Sequence, residues 1–160
     1  MKTHIHLKIN GDLWEGEVKI GQTLLEFLRS EIGLTGAKNG CGKGDCGACV
    51  VLLNGQPVNA CLILAVDAAG DEVTTVEGLQ DDDQTRIIQE SLVQAGAVQC
   101  GFCAPGLIVA ARAFLSQHPS PTEKEIKDAL IGHLCRCTGY VRITEAVMTA
   151  ADRLNSRQGG

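Results

Sequence analysis

The sequence predicts an α+β protein with two units, first a small mixed sheet packed on one helix and then four helices. Three observations support this prediction. Apolar residues alternate in the first half and take a helical period in the second. An acidic, turn-rich stretch, EGLQDDDQT, separates the halves, and eight cysteines fall into two sets of four, one in each half. We expect the first unit at residues 1–78, an acidic linker without core residues at 79–84 and the second unit at 85–160.

The first unit is predicted as strands around one helix. Polar and apolar residues alternate from His4 to Ile9, which is typical of a half-buried strand, and Asn10-Gly11 is a hairpin turn. Thr23 can cap a helix whose leucines recur at helical spacing. In chain order we expect strands at 4–9 and 13–20, a helix at 24–32, a strand and an Asn-Gly turn in CVVLLNGQPV, and a last strand at 72–76.

The second unit is predicted as four helices with its cysteines in the loops between them. Gly96 ends the first helix, Pro105 begins the second, and Thr122 to Glu125 form a capping box for the third. The fourth carries apolar residues at helical spacing from 143 to 154. Two antiparallel helix pairs would bring the loops QCGFCAP and LCRCTGY together around one metal site.

Composition and charge exclude several classes of function. The net charge is −5, and it comes without a long basic run, which argues against nucleic acid as a partner. The N-terminus MKTHIHLKIN is strand-like and offers no signal peptide. No apolar run approaches the ~20 residues of a membrane helix. We therefore expect no membrane partner and a cytoplasmic location, where thiols stay reduced and eight cysteines indicate metal binding.

The first cysteine set has the spacing of a plant-type ferredoxin. Cys41-x4-Cys46-x2-Cys49 is followed by a more distant Cys61, a pattern in which four thiolates hold a 2Fe-2S cluster. The glycines of GCGKGDCGAC allow a tight loop whose peptide N–H groups can point at the anionic sulfurs. We expect the chain to return to Cys61 through the Asn-Gly hairpin.

The second cysteine set leaves the metal open on spacing alone. It consists of a Cys-x2-Cys pair and a Cys-x-Cys pair, Cys100 with Cys103 and Cys135 with Cys137. A tetrahedral zinc ion accepts four cysteines in two such pairs, so zinc rivals iron here. Buried free cysteines fit poorly, because all four lie in loops beside Gly, Pro or Arg.

Three motifs, NGCGKGDCGAC, AVQCGFCAPG and GHLCRCTGYVRI, carry a resemblance to a known family. The chain resembles the small iron-sulfur subunit of the molybdenum hydroxylases, which include xanthine dehydrogenase, aldehyde oxidoreductase and aerobic carbon monoxide dehydrogenase. The resemblance extends to about residue 150. It implies a β-grasp, ferredoxin-like domain with one 2Fe-2S cluster, then a four-helix domain with a second, and so favours iron over zinc.

The resemblance also implies a function without catalytic residues in this chain. Electrons would pass from molybdopterin cytosine dinucleotide in a large subunit, through the two clusters, to FAD in a third subunit. The assembly would be a heterotrimer or a dimer of heterotrimers. The chain has no G-x-G-x-x-G fingerprint and no P-loop, which agrees with pterin and flavin sites on the partners. Gln99 and Cys137 match the family positions that approach the pterin.

The alternative is a self-contained two-cluster redox carrier or redox sensor. A carrier would not need the pterin-facing Gln99, and a DNA-binding sensor should have a basic recognition helix, which none of the four predicted helices is.

Several single residues have competing interpretations. His133 stands where the family often has Asn, and we expect a hydrogen-bonding or surface residue rather than a fifth ligand. Arg136 is either a charge partner of the cluster or an exposed loop residue. Tyr140 either packs or anchors an interface, and Trp14 is expected to pack on the sheet. Asp82 and its two neighbours are expected to be a solvated linker.

Overall fold

The computed structural model describes residues 1–158, so residues 159 and 160 of the predicted second unit lie outside the described part. The α+β prediction is confirmed. The strands are β1 (Lys2–Ile9), β2 (Asp12–Lys19), β3 (Val50–Leu53), β4 (Gln56–Asn59) and β5 (Glu72–Thr74). The α-helices are α1 (Leu24–Ser30), α2 (Asp83–Gln94), α3 (Ala104–Gln117), α4 (Glu123–Ala129) and α5 (Val141–Gln158). Short 3-10 helices lie at Ala65–Ala68 and Val76–Leu79.

The strands form one mixed sheet in the order β2-β1-β5-β3-β4. Strands β1 and β5 run parallel, and the other neighbours are antiparallel. Both Asn-Gly turns are confirmed, because Asn10 and Asn54 take the positive φ angles of 53° and 50° that such hairpins require. The sheet therefore has the hairpins that the sequence predicts at both of its edges.

One face of the sheet packs on α1. The apolar residues of β1 are buried, while His4 and His6 are exposed, as the alternation predicts. Thr23 forms a capping box with Glu26 at the start of α1. Trp14 meets Phe27 edge to face at 4.8 Å between ring centroids, which confirms that Trp14 packs in this core.

Helices α2 to α5 share a second core. Asp82 caps α2, and Thr122 forms the predicted capping box with Glu125 at the start of α4. Pro105 lies in the first turn of α3, where its missing N–H costs no hydrogen bond. The buried residues of this core include Ile87, Ile88, Leu92, Leu107, Ala111, Leu115, Ile126, Ile143, Val147 and Ala150. None of the described helices has the length and apolar character needed to span a membrane.

The stretch between the two halves is packed, which corrects the expectation for residues 79–84. Leu79 is buried against Val50 of β3 and Val109 of α3. Asp82 is no solvated linker residue, because its carboxylate accepts a hydrogen bond from the Thr85 N–H and pairs with Arg112 of α3 at 2.7 Å. The acidic composition of this stretch did not indicate that Leu79 is a core residue or that Asp82 caps α2.

Electrostatic interactions of Asp82 strengthen the packing between the two halves. Partial burial opposes ionisation of Asp82, but the hydrogen bonds from Arg112 and Thr85 outweigh it and hold the pKa of the carboxyl below its usual range. The ionised carboxylate therefore fixes the start of α2 to α3. Since α3 also lies on β3 and β4, the helices and the sheet pack directly on each other.

Candidate metal centres

The first cysteine loop lies between α1 and β3. Cys49 is buried, and the thiols of Cys41, Cys46 and Cys61 are partly exposed. The backbone N–H groups of Lys43 and Asp45 point at the Cys41 sulfur, with N–Sγ distances of 3.5 and 3.3 Å. The Lys43 N–H is the main reason that the pKa of Cys41 falls to about 6. The loop thus stabilises a thiolate with peptide dipoles, as its glycines predict.

Two further contacts set the shape of this loop. A Cβ atom on Gly40 would lie 2.8 Å from the Cys46 sulfur, so no larger residue fits there without displacement. Asn59, on β4, donates a hydrogen bond to the Gly44 carbonyl at 3.2 Å. The β3–β4 hairpin therefore fixes the loop and returns the chain to Cys61, as the sequence predicts.

The thiols of the first set form two pairs. Cys41 lies beside Cys46 and Cys49 lies beside Cys61, close enough for the second thiol of each pair to affect the pKa of the first. Burial raises the pKa of Cys49 to about 11, so that thiol must lose its proton when a metal binds. A 2Fe-2S cluster takes two protein ligands on each of its two irons, and two thiol pairs match that requirement.

The second set has the same arrangement at the ends of the helices. The sulfurs of Cys100 and Cys137 are 3.6 Å apart and exposed. Cys103, at the start of α3, lies beside the buried Cys135, and burial raises the pKa of Cys103 to about 12. Burial also disfavours ionisation of Cys135, but hydrogen bonds, first among them that from the Thr138 hydroxyl at 3.1 Å, lower its pKa overall.

The pterin-facing residues predicted from the resemblance lie together. The Gln99 side-chain amide donates a hydrogen bond to the Cys137 carbonyl at 3.3 Å, and both residues are exposed. Arg136 is also exposed. Tyr140 has a role that the sequence did not predict, since its hydroxyl accepts a hydrogen bond from the Cys135 N–H at 3.1 Å. This hydrogen bond connects the start of α5 to the ligand loop. The Tyr140 side chain remains 45% exposed.

The two ligand loops touch each other. The Leu134 N–H donates a hydrogen bond to the Cys46 carbonyl at 2.9 Å, which joins the residue before Cys135 to a cysteine of the first set. Gly47 is enclosed at this contact, because a Cβ atom there would lie 2.7 Å from the Gly132 carbonyl oxygen. On the other side, a Cβ atom on Gly106 of α3 would lie 2.2 Å from the Gly47 carbonyl oxygen.

His133 lies in the same contact. A Cβ atom on Gly47 would lie 2.5 Å from the His133 Nδ1, and that nitrogen is buried without a hydrogen-bond partner among the described residues. Burial lowers the pKa of the imidazole and favours its neutral form. His133 therefore packs between the loops, and its Nδ1 is neither a hydrogen-bonding nor a surface group.

Comparison with known proteins agrees with this geometry. Residues 7–69 match the family model of the 2Fe-2S iron-sulfur cluster binding domain, and residues 75–148 match that of the [2Fe-2S] binding domain. The chain is 44% identical to the nicotinate dehydrogenase small FeS subunit of Eubacterium barkeri, over 95% of this chain and 97% of that protein. It is 40% identical to the nicotine 6-hydroxylase small subunit of Paenarthrobacter nicotinovorans, over 99% and 95%.

A solved structure shows the same likeness. The crystal structure of quinoline 2-oxidoreductase from Pseudomonas putida 86 contains a chain with a TM-score of 0.90 and 39% identity, covering 99% of this chain and 98% of that one. The chain belongs to the family of small iron-sulfur subunits of the molybdenum hydroxylases.

As a small subunit of this family, the chain is a non-catalytic electron-transfer component of a multi-subunit oxidoreductase. Both of its halves match 2Fe-2S domains, and all four cysteines of the second set lie within residues 75–148, which answers the zinc question in favour of iron. The partner of an iron-sulfur small subunit carries the molybdenum cofactor.

We predict that Gly106→Ala destabilises the chain although it improves the helix propensity of α3. Alanine gains up to about 1 kcal/mol over glycine in a helix interior. The new methyl group would overlap a backbone oxygen that cannot rotate away, and overpacking of this kind costs about 1–3 kcal/mol. Urea unfolding should show a lower free energy of unfolding, and limited proteolysis should cut faster at residues 79–84.

Gly21→Ala is the matched control, because a Cβ atom there meets nothing within 4 Å. Its stability should stay within about 0.5 kcal/mol of the wild type. A Gly106→Ala protein as stable as the Gly21→Ala protein would mean that the close approach of α3 to the ligand loop is not a constraint.

Proposed function

We propose that the chain relays electrons from a large molybdenum-pterin subunit to a FAD-binding subunit, in the cytoplasm. We further propose a β-grasp domain at 1–78 and a four-helix domain at 85–160, joined at 79–84. The cofactor of the large subunit would be molybdopterin cytosine dinucleotide, and the assembly a heterotrimer or a dimer of heterotrimers. The observation that carries the proposal is the direct backbone contact between the loops that carry the two thiol sets, one of which exposes a thiol pair at the surface.

Each cysteine set would hold one cluster. Cys41, Cys46, Cys49 and Cys61 form the first site, and Cys100, Cys103, Cys135 and Cys137 form the second. When bound, a 2Fe-2S cluster supplies one-electron redox chemistry. The chain's own groups prepare the sites for that charge, because the peptide N–H groups around Cys41 and the Thr138 hydroxyl beside Cys135 donate to the sulfurs.

The two sites have different access to solvent, which supports a direction for the relay. The Cys100–Cys137 pair is exposed, whereas Cys135 is buried and lies beside the contact with the first loop. Gln99 holds the Cys137 carbonyl with one N–H and keeps a second N–H and a carbonyl oxygen for another partner. This amide suits the polar edge of a pterin ring.

The path along the backbone from one cysteine set to the other is short. From Cys135 the backbone leads to the Leu134 N–H, which bonds the carbonyl of Cys46, itself a ligand of the first set. A covalent path interrupted by one hydrogen bond supports electronic coupling between the two sites. No observation favours a free carrier or a sensor.

We predict that the two ligand sets can be disabled separately. Cys61→Ser should abolish the EPR signal of the first cluster and leave the second, because Cys61 belongs to the first set alone. Cys137→Ser should do the reverse. Iron content should fall by about half in each variant, since each loses one of two clusters. Loss of both signals in a folded single variant would contradict the assignment of ligands.

We predict that Gln99→Leu keeps both clusters but slows reduction of the second cluster by substrate, about tenfold or more, in the assembled enzyme. Leucine has a similar size but offers no hydrogen bond to the pterin. Rapid mixing with substrate, followed by freeze-quench EPR, measures the rate. Gln117→Leu is the control, because Gln117 is an exposed glutamine at the opposite end of α3. Equal rates in the two variants would refute the pterin contact.

A further inference from the structure

The Asn59 side chain connects the β3–β4 hairpin to the first ligand loop. Asn59 ends β4, two residues before Cys61, and it is partly buried. Its side-chain N–H donates a hydrogen bond to the Gly44 carbonyl at 3.2 Å. A backbone carbonyl can only accept a hydrogen bond, so the amide turns its nitrogen towards Gly44 and its oxygen away from it.

The Gly44 carbonyl belongs to the same peptide unit as the Asp45 N–H. That peptide bond is trans, so its C=O and its N–H point in opposite directions. The carbonyl points at Asn59, and the N–H points at the Cys41 sulfur with an N–Sγ distance of 3.3 Å. Through one peptide plane, the Asn59 side chain therefore fixes the direction of an N–H group that donates to a cysteine of the first set.

This peptide needs a restraint because it follows a glycine. Gly44 has a φ of 84°, in the left-handed region, and glycine has the widest choice of backbone angles. The ion pair between Lys43 and Asp45 spans Gly44 at 3.1 Å, but both side chains are well exposed, and exposed pairs of this kind contribute little. The partly buried hydrogen bond from Asn59 is the stronger restraint on the Gly44 carbonyl.

Asn59 makes a second contact, which depends on a proton. The Cys49 thiol donates a hydrogen bond to the Asn59 Oδ1 at 3.7 Å. Cys49 loses that proton when it binds a metal, so this hydrogen bond ends on loading. The hydrogen bond to the Gly44 carbonyl needs no thiol proton, and it is the contact that stays available in the loaded protein.

A peptide N–H beside a ligand sulfur affects the reduction potential of a 2Fe-2S site. Reduction adds one electron to the site, and thereby one negative charge, without breaking a bond. An N–H dipole that points at the sulfur stabilises the added charge and so raises the potential. Loss of that dipole lowers the potential, whereas entry of water raises it, because water also donates hydrogen bonds to the sulfurs.

We propose that Asn59 is a positioning residue that raises the reduction potential of the first site by holding the Asp45 N–H on the Cys41 sulfur. The inference rests on the proposed function, since it takes the first cysteine set as the ligands of one cluster. A higher potential at the first site favours electron flow from the second site to the first and so towards FAD. The hairpin that returns the chain to Cys61 thereby also favours one direction of the relay.

The test is an EPR-monitored redox titration of the full chain with both clusters loaded. Asn59→Leu keeps the approximate size of the side chain but removes the donor to the Gly44 carbonyl. The equilibrium between the oxidised and the reduced first cluster should shift about tenfold towards the oxidised form, a fall of about 59 mV in midpoint potential. The midpoint potential of the second cluster should not change.

Asn59→Asp is a second variant, which keeps the shape of the side chain if leucine disturbs the loop. Its carboxylate cannot donate to the Gly44 carbonyl and adds a negative charge near Cys49, so the first midpoint potential should fall further than in Asn59→Leu. Gln56→Leu is the matched control, because Gln56 is an exposed glutamine on the same strand. Both midpoint potentials in the control should equal those of the wild type.

The direction of the shift decides the result. An unchanged or higher first-cluster potential in both Asn59 variants overturns the inference, since a loosened and hydrated loop gives a rise. Loss of the first-cluster signal in both variants also overturns it, because Asn59 would then be needed only for the structure of the loop. A loaded wild-type chain without the EPR signal of a first 2Fe-2S cluster contradicts the proposed function itself.

Discussion

The hydrogen bond from the Leu134 N–H to the Cys46 carbonyl is the contact on which the arrangement of both sites depends. It joins two loops that belong to different halves of the fold and brings cysteines of the two sets close together. The bond is possible because the backbones approach closely at Gly47 and Gly106, where a methyl group would collide with a carbonyl oxygen. The packing of α3 on the sheet and the Asp82–Arg112 pair hold the halves in this position.

Around this contact the chain surrounds one end of each thiol set and leaves the other end open. Cys49 and Cys135 are buried, whereas Cys100 and Cys137 are exposed. An electron carrier within a larger complex needs both properties. Burial keeps a redox centre away from solvent, and exposure allows a partner to come close.

Local sequence signals predicted most elements because each depends on nearby residues. The two Asn-Gly turns, the capping boxes at Thr23 and Thr122 and the alternation in β1 are confirmed. The iron-sulfur identity of the second half came from the motifs of the family, since spacing alone also allowed zinc. The contacts that the sequence did not predict join residues that are distant in the chain. Leu79 stands alone among acidic residues, and only the approach of α3 to β3 creates the pocket that buries it. His133 packs against Gly47, eighty-six residues earlier, and no local pattern predicts that neighbour.

The most direct test of the central claim, two 2Fe-2S clusters held side by side by contacting loops, is an EPR-monitored reductive titration of the isolated chain. The account predicts two distinct signals of equal spin content, each of which broadens as the other cluster becomes reduced, because the loops keep the two paramagnetic centres close. A single signal, or two signals with line widths that are independent of each other's reduction, would contradict the account.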